Sequence, residues 1–506
     1  MVINPDAETM DWARRTCLLS FRSLAAMRIG LGLILCSDGL LRARDFPLMY
    51  AADGFFPPDI LRASLGSPAA WTVALWAEPW WCGACLLAVE TVAGCFLVAG
   101  LGTRWATLAA WVAVVSLARR TSPASNSGDA WLGCLLLWSL FLPLGTAWSL
   151  DARRASKLRP HGITPTAGGV VSLGTVALVL QLAAVYLSAG LAKCDSIWLQ
   201  GDAVTYALST ENHGTPLGAM VAAQPWLAKP LTWTVVAAEL AAPILLVTVS
   251  APAPRTVIVA IFILFHAAIG VTMNVGLFAP VGMAAWLALL PGSWWERCAW
   301  LRSAPDFPEN TSSRHAFNPP GRGATALCAA CLAVAAVSFG QANGPWPDRP
   351  LPAAAADAVA LLGLEQNWRV FGDVRRQQQW VYSRAELADG SVVDLLRGGT
   401  EVVAELPPGG FYGLPNHRWH TLFWDLSSPR YLPFAPAVAA GLATHWNRFH
   451  GPAQHVRTLE LRSAHLRPAP PAAQLHEVLL ATWPPRALGR GNLERLLQQQ
   501  AFPSTP

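Results

Sequence analysis

Long apolar runs, separated by short clusters of charged residues, occupy roughly the first two thirds of the chain. Each run approaches the length that a helix needs to cross about 30 Å of hydrocarbon. The pattern predicts about nine transmembrane helices, and the short third and eighth runs leave about eight or ten open. The runs lie near residues 18–41, 81–101, 105–117, 130–145, 168–192, 231–249, 257–275, 278–290 and 323–339.

The pattern changes after Trp346, where charged residues are scattered as in a soluble protein. Asp389-Gly390 is a turn dipeptide between two strand-like segments and predicts a β-hairpin. The predicted elements are helices at residues 354–364, 437–449 and 492–500, and strands at 380–384, 391–396, 401–406, 418–424 and 456–463. The chain is therefore predicted to be an all-α polytopic membrane bundle, residues 1–345, followed by a small α+β soluble domain, residues 346–506.

Composition agrees with a membrane protein. Hydrophobic residues make up 53% of the chain and charged residues 13%, against about 25% charged in a typical globular protein. The lipid bilayer is thus the first predicted partner. The net charge of +5 is modest and forms no basic stripe, so we expect no nucleic-acid partner. Residues 1–15 lack the features of a cleavable signal peptide, so the first run is expected to remain as a span.

The basic residues of the loops predict an orientation. With about nine spans and the N-terminus inside, the cytoplasmic loops hold more Lys and Arg than the outer loops. We therefore expect a cytoplasmic N-terminus and an extracytoplasmic C-terminal domain. This expectation depends on an odd number of spans.

Four ionisable residues interrupt the apolar runs: Arg28, Glu90, Glu239 and His266. An ionisable side chain in mid-span costs about 2.5 to 3.5 kcal/mol on insertion scales, so each needs a reason to be there. One interpretation is pairing within the bundle, for instance of Arg28 with Glu90 or Glu239. The other is a polar cavity at the centre of the bundle.

Lys193 ends the fifth apolar run, in a chain with only two other lysines, Lys157 and Lys229. An amine can lose its proton when it is desolvated, whereas guanidinium cannot. A lysine in a chain that otherwise uses arginine for positive charge therefore suggests a side chain that gives up and accepts a proton. The alternative is a lysine that extends to the membrane interface, and spacing alone favours it.

The loop before the fourth run contains Arg120 and the polar segment from Asn126 to Asp129. Asn and Asp side chains at a helix start accept hydrogen bonds from unpaired backbone N–H groups, so this segment is predicted to cap the next helix.

Cysteine spacing offers a competing site. Cys82 and Cys85 have the Cys-x-x-Cys spacing of thiol oxidoreductases, as do Cys328 and Cys331. No βαβ pattern surrounds either pair, and small residues are common at helix contacts, so helix packing is the alternative. No His, Cys and carboxylate cluster has metal-ligand spacing, and we predict no metal site.

Several of these segments together carry a family resemblance. Residues 186–202, residues 119–129, Arg28 and the stretch from His266 to Phe278 resemble the horizontally transferred transmembrane (HTTM) family, over about residues 14–291. The membrane domain of vitamin K-dependent gamma-carboxylase belongs to that family. The tail resembles that of bacterial members through residues 366–371, 416–419 and 445–448.

The resemblance implies a chemistry. The catalytic base of the carboxylase is a lysine in a segment similar to residues 190–201, and Lys193 occupies the matching place. That base deprotonates a reduced quinone of the vitamin K type, which implies a vitamin K or menaquinone-like cofactor here. Asp195, Trp198 and Arg120 would shape the pocket, and His266 or Glu239 would add polar contacts.

The sequence departs from the carboxylase at one place. A family histidine that precedes a segment similar to residues 148–151 is replaced by Thr146 and Ala147. The preferred prediction is a quinone-linked carboxylase-like or epoxidase-like enzyme. The rival is a non-enzymatic protein that holds a secreted or membrane polypeptide during maturation or export. A transporter is a third reading, which the lack of two matching halves with broken helices weakens.

Overall fold

The computed structural model describes residues 15–486, except 52–53, 66, 68, 76–80, 159–167, 210–212, 298–320, 345–348, 373, 375–377, 403–412 and 468–473. Helices dominate the part before residue 345. They are α1 (Phe21–Arg44), α2 (Pro58–Ser64), α3 (Trp81–Ala99), α4 (Thr103–Arg120), α5 (Ser127–Ser139), α6 (Leu150–Leu158), α7 (Leu173–Ala192), α8 (Ser196–Gln200), α9 (Ala203–Ser209), α10 (Pro216–Ala222), α11 (Pro225–Thr248), α12 (Pro252–Thr272), α13 (Phe278–Leu287), α14 (Gly292–Arg297) and α15 (Arg322–Asn343).

Six of the described helices are long and apolar enough to cross a membrane: α1, α3, α7, α11, α12 and α15. The predicted count of about nine spans is not confirmed. Helix α4 has basic residues at both ends, Arg104 and the pair Arg119-Arg120. Helices α5 and α13 have 13 and 10 residues, which at 1.5 Å per residue gives about 20 Å and 15 Å, well short of the hydrocarbon thickness.

The bundle is held by close helix packing around large aromatic residues. Helices α1 and α3 approach closely where Gly32 faces Gly94, and a Cβ on Gly32 would lie 2.7 Å from the carbonyl oxygen of Gly94. Small residues allow such contacts between membrane helices. The fully buried rings of Trp131, Trp138 and Trp286 fill the space between the helices.

The tail contains a five-stranded antiparallel sheet with three helices. The strands are β1 (Leu19–Ser20), β2 (Gly169–Val170), β3 (Gln378–Leu387), β4 (Val392–Asp394), β5 (Thr400–Glu401), β6 (Val456–Arg467) and β7 (Gln474–Trp483), and the tail helices are α16 (Ala353–Leu362), α17 (His417–Asp425) and α18 (Ala435–Phe449). The strand order of the sheet is β5-β4-β3-β6-β7, and a separate two-stranded pair, β1 with β2, lies in the bundle.

Most predicted elements of the tail are confirmed where the structure describes them. Strands β3 and β4 form the predicted hairpin, with Ala385 opposite Val393, and α16, α18 and β6 lie where they were expected. The predicted strand at 418–424 is wrong, because Asn416 caps a helix there and accepts a hydrogen bond from the backbone N–H of Arg418 at 3.0 Å. The predicted helix at 492–500 and residues 403–406 of another predicted strand lie outside the described residues.

One segment of the tail enters the bundle. Leu364, Trp368 and Val374 belong to the same apolar core as the membrane helices, and Val370 and Phe371 pack against it. The side-chain amide of Gln181 donates to Gln366 at 2.8 Å, and Trp138 donates to Gln181 at 3.0 Å. The backbone N–H of Trp368 donates to Ser188 at 3.2 Å. These buried polar contacts hold the tail against α5 and α7. Gln366 and Trp368 lie after residue 345, so the first part of the predicted soluble domain packs inside the membrane bundle.

Candidate functional site

Lys193 lies at the C-terminal end of α7 and is buried, with 2% of its side chain exposed. Its Nζ lies 2.8 Å from Oε2 of Glu239 on α11. The same amine donates to the carbonyl oxygen of Val370 at 2.7 Å and to that of Ala189 at 3.4 Å. A buried charge is tolerated only when it is paired and hydrogen-bonded, and this lysine satisfies both conditions.

The segment after Lys193 supplies an aromatic wall. Asp195 caps α8 by accepting the backbone N–H of Trp198 at 3.0 Å. The Trp198 ring then lies 5.2 Å from Nζ of Lys193, within the range of a cation–π contact. Asp195 therefore acts on the site through Trp198.

The tail closes this site with two successive carbonyl groups. Val370 accepts from Lys193, and Phe371 accepts from Nε1 of Trp198 at 3.0 Å. Phe371 has a φ of 56°, in the left-handed region that a bulky residue rarely adopts. Such strain persists only where the surroundings hold it in place, and it often marks a functional site.

His266 belongs to a second polar group deeper in the bundle. Its Nε2 lies 2.6 Å from the hydroxyl of Tyr186, which also accepts from Nε1 of Trp286 at 2.5 Å. Helix α13 approaches so closely that a Cβ on Gly282 would lie 2.4 Å from the His266 ring. No described contact joins His266 to Lys193. Of the two residues expected to add polar contacts at the site, Glu239 contacts the amine and His266 does not.

Two other candidate residues, Glu90 and Asp129, belong to a buried charge cluster that also contains Asp38, Arg42 and Arg418. Arg42 pairs with Asp38 at 2.7 Å and with Asp129 at 2.8 Å, and Glu90 lies 3.7 Å from Arg42. Arg418 of the tail pairs with both Asp38 and Asp129 at 2.8 Å. Burial opposes the charge of Arg418, but Asp129 and Asp38 raise its pKa well above the ordinary value. This charge cluster joins α1, α3, α5 and α17.

The expected pairing of Arg28 with Glu90 or Glu239 is wrong. Arg28 is fully buried and donates instead to the backbone carbonyls of Leu144, Ala147 and Trp148, at 3.0, 3.2 and 2.6 Å. Glu90 and Glu239 face Arg42 and Lys193. Arg28 therefore holds the turn after α5.

Three further predicted residues, Arg120, Asn126 and Asp129, have no described contact with Lys193. Arg120 donates to the carbonyls of Phe56 and Ala51 at 2.5 and 2.8 Å, so it supports a loop and does not contact Lys193. Asn126 and Asp129 form the predicted cap of α5. Oδ1 of Asn126 accepts from Gly128, and Oδ2 of Asp129 accepts from the backbone of Asn126.

The two Cys-x-x-Cys pairs lie within candidate spans, α3 and α15. Cys82 is buried and Cys85 is exposed, and Cys328 and Cys331 are both buried. All four thiols are free.

Three histidines that the sequence analysis did not select come together beside this region. They are His213, in the segment before α10, and His417 and His420 on α17, and one ligand atom from each lies within 4.8 Å of the others. Burial lowers the pKa of His213 to about 4 and that of His417 to about 3, and it lowers the pKa of His420 well below the ordinary value. At neutral pH the three rings are therefore uncharged. The sequence signal for this histidine cluster is the i, i+3 spacing of His417 and His420. That spacing places two side chains together only on a helix, and a strand was predicted there.

The His213 ring also connects this histidine cluster to Lys193. It meets the Phe371 ring edge-on, with centroids 5.4 Å apart. Phe371 follows Val370, whose carbonyl accepts from Lys193. One tail dipeptide thus touches both groups.

Comparison with known proteins identifies the membrane part. No curated protein and no solved structure matches the chain. Residues 21–294 match the family model described as the HTTM domain, which covers more than half of the 506 residues. The match includes Lys193, Glu239 and the acidic members of the charge cluster. With its apolar helices and this match, the chain is an integral membrane protein that belongs to the HTTM family.

Proposed function

We propose that this protein is a membrane-embedded enzyme in which Lys193 and Glu239 exchange a proton with a lipophilic reduced quinone, in a carboxylase-like or epoxidase-like reaction. The observation that carries the proposal is the contact of 2.8 Å between these two buried side chains at the end of α7. A buried amine beside a carboxylate is a pair that can pass a proton without a large change in local charge.

The donor set suits such a ligand. Lys193 and Glu239 offer a proton acceptor and a hydrogen-bonding partner for a phenolic hydroxyl, and Trp198 offers an aromatic face. A bound hydroquinone would supply the acidic hydroxyl and the electron-rich ring that reacts with oxygen.

The contacts of Lys193 define what the protein itself must do. An ammonium group has three N–H donors. Val370 and Ala189 accept from this one, and Glu239 lies beside it as an ion-pair partner. To act as a base, Nζ must first give a proton to Oε2 of Glu239, which leaves a neutral amine and a neutral acid. Glu239 is therefore proposed as the proton relay and Lys193 as the base.

The test is turnover of a defined quinone by the full chain in lipid nanodiscs. Reduced menaquinone or vitamin K is supplied under air, and epoxide is measured by chromatography. We expect epoxide from the wild type, and a loss of at least about 100-fold in Lys193→Arg and Lys193→Ala, in line with the usual contribution of a general base.

Lys229→Arg is the matched control. Lys229 also lies over a tryptophan ring, with Nζ 5.7 Å from the centroid of Trp233, but it is exposed. Its substitution should leave turnover unchanged. Absence of quinone binding and turnover in the wild type would overturn the proposal, and so would full activity in Lys193→Arg.

The non-enzymatic role remains the second candidate, and one observation favours it. Because one carboxylate and two carbonyl groups surround the Lys193 ammonium, the same contacts would also suit a lysine that only fastens the tail to the bundle. In that case the protein would hold a secreted or membrane polypeptide, and Lys193→Arg would keep that function because arginine keeps the positive charge.

A further inference from the structure

We infer that His213, His417 and His420 form a binding site for a divalent transition metal ion of the zinc class, with one coordination position left for water or substrate. This site is separate from the proton-exchanging pair, and the inference does not depend on the proposed function. It rests on the convergence of three imidazoles from two distant parts of the chain.

The distances suit a metal after small movements. One nitrogen from each ring lies within 4.8 Å of the other two. Zinc binds imidazole nitrogen at about 2.0 to 2.1 Å with tetrahedral angles, which places ligand nitrogens about 3.4 Å apart. The nitrogens must therefore approach one another by at most about 1.4 Å to reach that spacing.

The backbone holds the three residues in place. His417 and His420 are one helical turn apart on α17 and so lie on the same face. The carbonyl of His213 accepts from the backbone N–H of Asn274 at 2.7 Å, and Gly214 forms a β-bridge with Met273. The rings of His213 and His420 then lie with centroids 5.0 Å apart. The site is thus built between a loop of the bundle and a helix of the tail.

A second observation points to a ligand. Nδ1 of His213 is inaccessible to solvent and has no hydrogen-bond partner among the described residues. A buried polar nitrogen without a partner is costly, and it calls for an explanation such as a missing ion. Gly276, whose φ is 57°, leaves room for His417, because a Cβ there would lie 2.5 Å from Cδ2 of that ring. The backbone at Gly276 therefore packs directly against the His417 ring.

The ligand set selects the class of ion. Three imidazoles without a carboxylate disfavour Mg²⁺ and Ca²⁺, which prefer oxygen ligands, and suit zinc and similar ions. Structural zinc sites have four protein ligands, whereas three histidines with an open position are typical of catalytic sites that activate water or polarise a carbonyl.

The experiment measures zinc in the purified full chain, carrying an affinity tag without histidine. After dialysis against a buffer with Zn²⁺ and then against a weak chelator, metal is measured by mass spectrometry, and affinity is measured by competition with a chromophoric chelator. We expect about one zinc ion per chain in the wild type. We expect at least about tenfold weaker binding in His213→Gln and in His420→Gln.

His476→Gln is the control, since His476 is exposed on β7 of the tail and lies outside the cluster. It should bind zinc like the wild type. His213 lies in a loop, so His213→Gln is the variant less exposed to misfolding. If it elutes as a single species and has wild-type thermal stability without zinc, misfolding is excluded as the cause of weaker zinc binding. A wild type that retains no zinc would overturn the inference, as would equal retention in all four proteins.

Discussion

Arg418 and Asp38 are 380 positions apart in the chain, yet Nη2 of Arg418 donates to both carboxylate oxygens of Asp38, at 2.8 and 3.0 Å. The first residue belongs to a helix of the tail and the second to the first membrane helix. Arg418 also donates twice to Asp129, at 2.9 and 2.8 Å. A single guanidinium therefore joins the tail to two helices of the bundle.

We expect Arg418→Met to destabilise the protein by about 3 to 5 kcal/mol, because it leaves two buried carboxylates with only Arg42 for compensation. The loss is measured by urea unfolding in detergent. Arg462→Met is the control, since Arg462 pairs with Glu460 and Glu477 while 30% of its side chain is exposed. Each of these partly exposed ion pairs should contribute about 0 to 1 kcal/mol. Equal losses in the two variants would contradict the buried cluster.

We expect Arg28→Lys to loosen the turn at residues 144–148. Lysine keeps the charge but cannot reach three carbonyls with a rigid planar fork, so at least one buried carbonyl loses its donor, at a cost of about 1 to 3 kcal/mol. Hydrogen exchange of a peptide that covers residues 144–149 measures the effect. Arg104→Lys, at an exposed position of α4, should leave exchange there unchanged. Unaltered protection in Arg28→Lys would show that these hydrogen bonds contribute little.

We expect Asn126→Ala to cost about 1 kcal/mol through loss of the cap on α5. Ser172→Ala, which removes the equivalent cap of α7, should cost a similar amount. Thermal unfolding in detergent compares the two with Thr256→Ala, an exposed hydroxyl in α12 that should change stability by less than about 0.5 kcal/mol. A neutral Asn126→Ala would argue that Asp129 holds the helix start without the cap.

The predicted orientation gains a second argument. Asp38, in the C-terminal half of α1, contacts Arg418, whereas Arg28, in the N-terminal half, contacts the carbonyl groups of Leu144, Ala147 and Trp148. If α1 crosses the membrane and the N-terminus is cytoplasmic, we therefore expect the tail to be extracytoplasmic.

Labelling of single cysteines in intact cells tests this orientation, in a variant whose own cysteines are replaced. A membrane-impermeant maleimide should label Ser391→Cys, in the exposed tail hairpin, and should label Arg104→Cys only after the membrane is opened. The reverse pattern would invert the orientation. Labelling of both in intact cells would contradict the expectation that Ser391 and Arg104 lie on opposite sides of the membrane.

The sequence pattern predicted local secondary structure better than it predicted contacts between distant segments. The six longest apolar runs correspond to the six described helices that are long and apolar enough to cross a membrane, and the Asp-Gly turn forms the expected hairpin. Residues 418–424 were misassigned because aromatic residues favour strands, whereas a single cap at Asn416 and burial of one face favoured the helix. Propensity is weak wherever tertiary packing selects the buried face.

The partners of each charged residue could not be read from the sequence. The lysine at the end of α7 was singled out by its residue type, but its partner Glu239 and the carbonyl of Val370 are set by how α11 and the tail pack. The three histidines are a stronger case, since His213 is about two hundred positions from the other two. Contacts between distant segments leave no period in the chain.

The charge cluster has a consequence for biosynthesis. Asp129 precedes Arg418 by 289 residues, so at about 5 to 20 residues per second the ribosome needs about 15 to 60 s to deliver the second arginine. During that interval the nascent bundle holds Asp38, Glu90 and Asp129 with Arg42 as the only basic residue of the cluster. A chain that stalls or is cut before α17 thus keeps three carboxyl groups beside a single arginine in its membrane helices, a buried imbalance that only the arrival of Arg418 reduces.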